Sequence, residues 1–125
     1  MKKYAMYIGR WQNWHKGHEW LINQQLEKGN NVWVAIRDVA TDENNPKTAQ
    51  QILKELSNET FFMNNMDKIL LSIIPDIESV NYGRGVGFDV IYHEPPADVA
   101  VISGTAIRTG HMTADGSIKY DQTKG

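Results

Sequence analysis

The 125-residue chain contains no cysteine, which excludes a disulfide framework and a thiolate metal site. It has no long hydrophobic run, so the sequence predicts no membrane span. The net charge of −2 provides no basic field for extended nucleic-acid binding, and any phosphate site must therefore be local. Length and composition predict a single globular domain, which we expect in the cytoplasm, where a cysteine-free chain is compatible with the reducing conditions.

The stretch that carries most of the chemistry comprises residues 9–18 and reads G-R-W-Q-N-W-H-K-G-H. It follows an apolar run, 3–8, that predicts a strand, and precedes a helical pattern over 19–28. The junction places two imidazoles, His15 and His18, and a series of backbone N–H groups at a helix N-terminus. Phosphate binds well at such a terminus, because the N–H groups and the helix dipole both favour an anion.

These ten residues resemble the signature of the H-x-G-H nucleotidyltransferase superfamily, the cytidylyltransferase-like enzymes. The fuller form, G-R-[WF]-Q-x-[WF]-H-x-G-H, is most similar to nicotinamide-mononucleotide adenylyltransferases, in which a substrate phosphate attacks the α-phosphate of a nucleoside triphosphate and pyrophosphate is released. Asn13 stands where that subfamily usually has proline. The resemblance implies that both histidines donate hydrogen bonds to phosphate oxygens in the transition state. It also implies that the nucleotide is bound by Gly9, Arg10, Trp11, Lys16 and Gly17.

Simpler interpretations of the same residues stay open at this stage. A single histidine before a helix is often only a cap, so His15 fits that role equally well. Trp11 and Trp14 also fit the role of aromatic side chains that pack in a core or a loop.

A second motif lies near the other end of the chain, where an apolar run, 98–102, leads into S-G-T-A-I-R. This pattern predicts another strand-to-helix anion site, with two hydroxyl donors and an arginine that can fork onto phosphate oxygens. It resembles the I-S-[SG/T]-T-x-[IK]-R signature of the same superfamily, which binds the β- and γ-phosphates that leave as pyrophosphate. The resemblance assigns that role to Ser103, Gly104, Thr105 and Arg108, the last of them catalytic. A helix cap beside a solvent-facing arginine is the simpler alternative.

The remaining pattern predicts an α/β fold. Strands are expected at 3–8, 31–36, 69–74 and 90–93, and helices at 19–28, 49–56 and 59–66. A strand, a helix and a second strand within about thirty residues form a βαβ unit, which implies a parallel sheet and a right-handed crossover. We expect a Rossmann-like open parallel sheet with helices on both faces, in one nucleotidyltransferase domain over 1–110 followed by a polar tail over 111–125.

Two further loops are candidates for substrate binding. The loop after the second strand contains Arg37 and Asp38, and its residues 43–49 resemble the E-N-P-x-T-A segment of the adenylyltransferases, although Gln50-Gln51 stand where that family usually has an arginine-bearing helix start. A solvated loop before a helix fits this segment about as well. The glycine-rich loop 81–88 fails the G-x-G-x-x-G pattern, but its Arg84 could close over a substrate phosphate.

These observations predict an enzyme that transfers a nucleoside monophosphate, AMP from ATP in the first instance, to a phosphate-bearing small molecule such as nicotinamide mononucleotide. Magnesium is expected to arrive with the triphosphate, without a dedicated protein cage. The alternatives are a CTP-dependent cytidylyltransferase of the glycerol-phosphate type and a non-catalytic nucleotide-binding module. Neither nucleic acid nor a membrane is an expected partner, and the sequence leaves homo-oligomerisation open.

Overall fold

The computed structural model of the chain describes residues 2–85 and 87–100. Its secondary structure alternates strands and helices, as the sequence predicts. The elements are β1 (Tyr4–Gly9), α1 (Lys16–Leu26), β2 (Asn31–Asp38), α2 (Ala49–Ser57), α3 (Thr60–Met63), β3 (Ile69–Pro75) and α4 (Ala97–Ala100). Within the described residues, no helix has both the length and the apolar character needed to span a membrane.

The three strands form one parallel sheet in the order β1-β2-β3. Tyr7 of β1 pairs in register with Val34 of β2, which pairs with Leu71 of β3. Because parallel strands need crossover connections, the helices between them follow from this topology. The predicted α/β class is confirmed, and so are the three predicted strands at 3–8, 31–36 and 69–74.

One face of the sheet packs against helices and forms the core. Alternate residues of the central strand β2 point to this face, and Val32, Val34 and Ile36 are fully buried there. They pack with Ile22 of α1 and with the inward side chains of α2. Full burial of each such side chain contributes about 1.5–3 kcal/mol, so this face supplies much of the stability of the fold.

The opposite face carries apolar side chains that remain partly open. Tyr4, Met6, Ile8 and Leu70 are each between 37% and 43% exposed, although they belong to β1 and β3. The register places them on the side away from the core cluster. In the described part of the chain, the expectation of helices on both faces is therefore not met, because α1, α2 and α3 all contribute to the same core.

The first helix begins at Lys16, three residues earlier than the periodicity predicts, because His15 serves as its N-cap. It ends at Leu26, two residues before the predicted stop, and Gly29 follows in a left-handed conformation, with a φ of +85°. The second helix is capped by a reciprocal pair in which the Thr48 side chain accepts from the Gln51 N–H and the Gln51 side chain accepts from the Thr48 N–H.

The chain after β3 departs from the sequence prediction. Residues 90–93 do not form the expected fourth strand, and their Val90 and Tyr92 are 71% and 78% exposed. The β-rich composition of this run is insufficient because it pairs with no other described strand. The sequence predicts a strand from 98, but the structure has the helix α4 there. This helix follows Pro95-Pro96, and proline favours the start of a helix.

Candidate functional site

The candidate site lies where β1 ends and α1 begins. Gly9 closes β1, and a Cβ at this position would stand 3.0 Å from the indole of Trp11. That indole is buried and donates its Nε1–H to the main-chain oxygen of Ala35 over 3.0 Å. Gly9 therefore permits a close approach of the tryptophan, and Trp11 ties the loop to β2, so both residues have a structural role here.

The backbone of the loop is unusual on either side of Gln12. Trp11 and Asn13 have φ values of 55° and 54°, in the left-handed region that non-glycine residues seldom adopt. Proline is restricted to a φ near −65°, so it could not occupy position 13 in this conformation. The asparagine that departs from the subfamily signature therefore allows a loop shape that proline would forbid.

Gln12 connects this loop to the loop that follows β2. Its buried side-chain amide donates to the main-chain oxygen of Lys47 over 2.9 Å and accepts from the Lys47 N–H over 3.2 Å. This double hydrogen bond joins residues 35 positions apart. The two loops at the carboxyl ends of β1 and β2 are thereby held together, at the edge of the sheet where open α/β folds bind ligands.

His15 caps the first helix with its side chain. Its Nδ1 accepts a hydrogen bond from the Gly17 N–H over 3.1 Å, and the residue is buried. Burial lowers the pKa of His15 from 6.5 to about 4, so the imidazole is neutral at pH 7. Because Nδ1 accepts, the single proton of the neutral ring is on Nε2, which is a donor. The structure confirms that His15 caps the helix. The cap uses Nδ1 and leaves the Nε2–H donor out of this hydrogen bond.

His18 stacks on His15, with ring centroids 3.8 Å apart and planes inclined by 17°. The ring centroids of Trp11 and Trp14 each lie 5.1 Å from that of His18. Burial, together with repulsion from any charge on His15, places the pKa of His18 well below 6.5. Its Nδ1 is buried and has no hydrogen-bond partner among the described residues. A buried polar atom that lacks a hydrogen-bond partner costs about 1–3 kcal/mol, so this nitrogen calls for an explanation.

The two basic residues of the first motif, Arg10 and Lys16, are exposed. Lys16 is largely exposed and pairs with Glu19 over 3.3 Å. The hydrogen bond from the main-chain N–H of Asn45 is the main cause of the lowered pKa of Asp42. The positive charge of the exposed Arg10 lowers this pKa further. Both side chains are therefore on the surface, and their role in binding a nucleotide remains a prediction.

Of the residues predicted to bind the substrate, one is paired within the protein and two are exposed. Arg37 donates from Nε and Nη2 to one carboxylate oxygen of Asp76, over 2.9 Å and 2.7 Å, and from Nη2 to the main-chain oxygen of Ile77. It ties β2 to the end of β3 and would have to exchange this partner for a substrate phosphate. The side chains of Asp38 and Arg84 are exposed and make no hydrogen bond or ion pair with another described residue.

The second predicted motif lies outside the described residues. This applies to Ser103, Gly104, Thr105 and Arg108, and to the predicted boundary between 110 and 111. Their roles remain predictions from the sequence. Within 2–85 and 87–100, no group of three or more histidine, cysteine or acidic side chains is arranged to hold a metal ion.

Two features of the site were not anticipated from the sequence. The resemblance marks Gln12 as a signature residue but gives no sign of its partner, which lies 35 residues away. The indole of Trp14 donates to Glu19 over 3.0 Å and packs on Phe61 and Phe62, which brings α3 against the start of α1. No local pattern predicts this contact, because it depends on tertiary packing.

Comparison with known proteins adds no family assignment. The chain matches no protein-family model, and a search of curated proteins finds no significant relative. The interpretation of the site therefore rests on the motif and on the geometry described above.

Proposed function

We propose that the chain is a nucleotidyltransferase that transfers AMP from ATP to a phosphate-bearing small molecule such as nicotinamide mononucleotide, with release of pyrophosphate. The Rossmann-like assignment of its sheet is part of this proposal. The observation that carries it is the stacked pair of neutral imidazoles at the start of α1, with a buried Nδ1 of His18 that no described residue satisfies. The order of the two sequence motifs supports the same function.

The reaction needs positioning and charge stabilisation more than covalent chemistry. An oxygen of the acceptor phosphate attacks the α-phosphorus in line, a new P–O bond forms, and the bond to the bridging oxygen of the β-phosphate breaks. His15 Nε2–H donates to a non-bridging oxygen as negative charge increases there. His18 lies against the same ring and acts as its partner donor. Neither imidazole has to be a nucleophile.

The leaving pyrophosphate is assigned to Ser103, Gly104, Thr105 and Arg108 by the resemblance. Magnesium, entering with the triphosphate, would neutralise part of the phosphate charge. In this proposal the nucleotide holds the metal, so that no dedicated protein cage is needed. Arg84 is proposed to contact the acceptor phosphate from the glycine-rich loop.

The test is pyrophosphate release from ATP and nicotinamide mononucleotide with magnesium, comparing the unaltered chain with His18→Ala. Loss of one transition-state donor lowers kcat by about 100-fold to 1,000-fold, with a smaller change in KM. His93→Ala is the matched control, because His93 stacks on Tyr7, 6.2 Å away, outside the histidine pair. Circular dichroism checks that each variant is folded.

CTP, glycerol 3-phosphate and phosphopantetheine form the other arms of the experiment. Turnover with CTP alone would replace the adenylyl assignment by the cytidylyl one. Tight nucleotide binding without pyrophosphate release for any acceptor would overturn the enzyme assignment and favour a binding module. Full activity of His18→Ala would overturn the role given to the histidine pair.

A further inference from the structure

The imidazole of His18 has three other rings as near neighbours. The ring of His15 stacks on it with centroids 3.8 Å apart, and the ring centroids of Trp11 and Trp14 each lie 5.1 Å away. Its Nδ1 has no hydrogen-bond partner among the described residues, so no such bond at that nitrogen orients the imidazole. The orientation of His18 therefore depends on how firmly the neighbouring rings are held.

Two of the three neighbouring rings are held by main-chain groups. The indole of Trp11 donates to the main-chain oxygen of Ala35 in β2, and Nδ1 of His15 accepts from the Gly17 N–H in α1. These partners belong to a strand and a helix, so their positions are set by the fold itself. The ring of Trp14 differs, because its hydrogen-bond partner is a side chain.

That side chain is Glu19, in the first turn of α1, and each oxygen of its carboxylate is used. Oε2 accepts from Nε1–H of Trp14 over 3.0 Å, and Oε1 accepts from Nζ of Lys16 over 3.3 Å. The Glu19 side chain is only 21% exposed, so water competes only in part with the indole for the carboxylate. An ionised acceptor also makes this hydrogen bond stronger than a neutral acceptor would.

The other contacts of the Trp14 ring are aromatic. Its centroid lies 4.9 Å from that of Phe62 and 5.7 Å from that of Phe61. Apolar contacts of this kind have little directional preference, whereas an N–H donor has a preferred direction toward its acceptor. Without the carboxylate of Glu19, the indole would be held by ring contacts alone, and the surface that it offers to His18 would be less well defined.

We propose that Glu19 is a positioning residue of the histidine pair, which acts through the indole of Trp14 to orient the imidazole of His18. The effect on the orientation of the ring is independent of any reaction. Its consequence for catalysis rests on the proposed function, because a donor stabilises a transition state only when it is aimed at the oxygen where charge develops. A carboxylate in a first helical turn also favours the helix dipole, and the experiment separates this role from positioning.

The first measurement is steady-state pyrophosphate release from ATP and nicotinamide mononucleotide with magnesium. Glu19→Ala should lower kcat by about 10-fold to 100-fold with little change in KM, because a misdirected donor is lost chiefly in the transition state. Glu19→Gln should retain most of the activity, since its side-chain oxygen still accepts from the indole although its charge is gone. Glu27→Ala is the matched control, because Glu27 is an exposed acid at the other end of α1.

Trp14→Phe tests whether the effect passes through the indole, because it keeps an aromatic ring and removes the N–H donor. The double variant Trp14→Phe/Glu19→Ala should be about as active as Trp14→Phe alone, since Glu19 then has no indole to hold. Losses that multiply in the double variant would show that Glu19 acts by another route, and would overturn the proposal.

Nuclear magnetic resonance spectra of the ¹⁵N-labelled chain give a readout that needs no turnover. The indole signal of Trp14 is identified by its disappearance in Trp14→Phe. We expect this signal and the imidazole ¹⁵N signals of His18 to shift in Glu19→Ala, to shift less in Glu19→Gln, and to stay in place in Glu27→Ala. The same spectra show whether each variant is folded.

Unchanged His18 signals in Glu19→Ala would overturn the proposal. So would equal losses of activity in Glu19→Ala and Glu19→Gln, since that result would indicate a role of charge alone. If the unaltered chain releases no pyrophosphate, the proposed function fails, whereas the spectra still decide whether Glu19 orients His18. An active chain in which Glu19→Ala changes neither kcat nor the spectra would reject the positioning role and retain the proposed function.

Discussion

At the scale of single residues, the histidine pair combines a structural role with the chemical role that we propose for it. His15 uses Nδ1 to cap α1, which determines that its proton lies on the other nitrogen. His18 then has a ring stacked 3.8 Å away and a buried nitrogen without a partner. Both rings are neutral in the free protein because burial disfavours their charged forms. A bound anion would stabilise the positive charge that burial disfavours.

This burial has a consequence for stability against pH. The folded-state pKa of His15, about 4, lies below its ordinary value of 6.5, so the unfolded chain binds more protons between these values. We expect the free energy of unfolding to fall as the pH decreases from about 6.5 toward 4, by at most ~1.4 kcal/mol per pH unit for each such histidine. Urea unfolding at a series of pH values measures this slope.

The variant His15→Asn should flatten that slope, because asparagine caps a helix but does not titrate. Parallel curves for the unaltered chain and His15→Asn would show that the burial of this ring carries no proton linkage.

At the scale of the elements, the loop between β1 and α1 has its shape determined by side-chain hydrogen bonds. The indole of Trp11 donates a hydrogen bond to Ala35 in β2. The side-chain amide of Gln12 donates one to Lys47, the residue before the Thr48 cap of α2. Asp42 organises the second loop by accepting from the main-chain N–H groups of Asn44 and Asn45. These contacts offset the conformational cost of two left-handed residues, which is about 1–3 kcal/mol each.

Asn13 gives a direct test of this loop conformation. We expect Asn13→Pro to destabilise the protein by about 3 kcal/mol or more, because a proline ring cannot adopt a φ of 54° and also restricts the residue before it. Asn13→Gly should cost about 1 kcal/mol or less, since glycine adopts this conformation freely. Thermal and urea unfolding provide the comparison, and equal stability of the two variants would contradict the left-handed loop.

Much of the framework could be predicted because it depends on local pattern. The β-rich runs before and after α1 identify β1 and β2, and the spacing of His15 and His18 places both at a helix start. The contact of Gln12 with Lys47 could not be predicted, because it joins segments far apart in sequence. The prediction of a strand at 90–93 is wrong because local pattern is not sufficient. These residues favour a strand, but no described strand pairs with them.

At the scale of the whole molecule, the two faces of the sheet contribute unequally to stability. Ile36 points toward the helices and is fully buried, whereas Ile8, on β1, points to the other face and is 37% exposed. The difference arises because the described helices that pack on the sheet all cover the same side.

The matched substitutions Ile36→Ala and Ile8→Ala measure this asymmetry. We expect about 2–5 kcal/mol of destabilisation for Ile36→Ala, because it leaves a cavity in a closed core. Ile8→Ala should cost about 1 kcal/mol or less, because part of its surface is already in water. Chemical denaturation gives both values, and a similar cost for the two variants would show that the open face is covered in solution.

The hydrogen bond that Gln12 accepts from Lys47 also gives the protein an internal reporter of motion. The main-chain proton of Lys47 is held by a side chain rather than by a strand or helix ladder. In heavy water it exchanges for deuterium only when the Gln12 amide releases it, and this opening requires less free energy than separation of the strands. The exchange rate at this one position therefore measures how often the loops after β1 and β2 separate, and a ligand that bridged these loops would slow it while leaving the central strand unaffected.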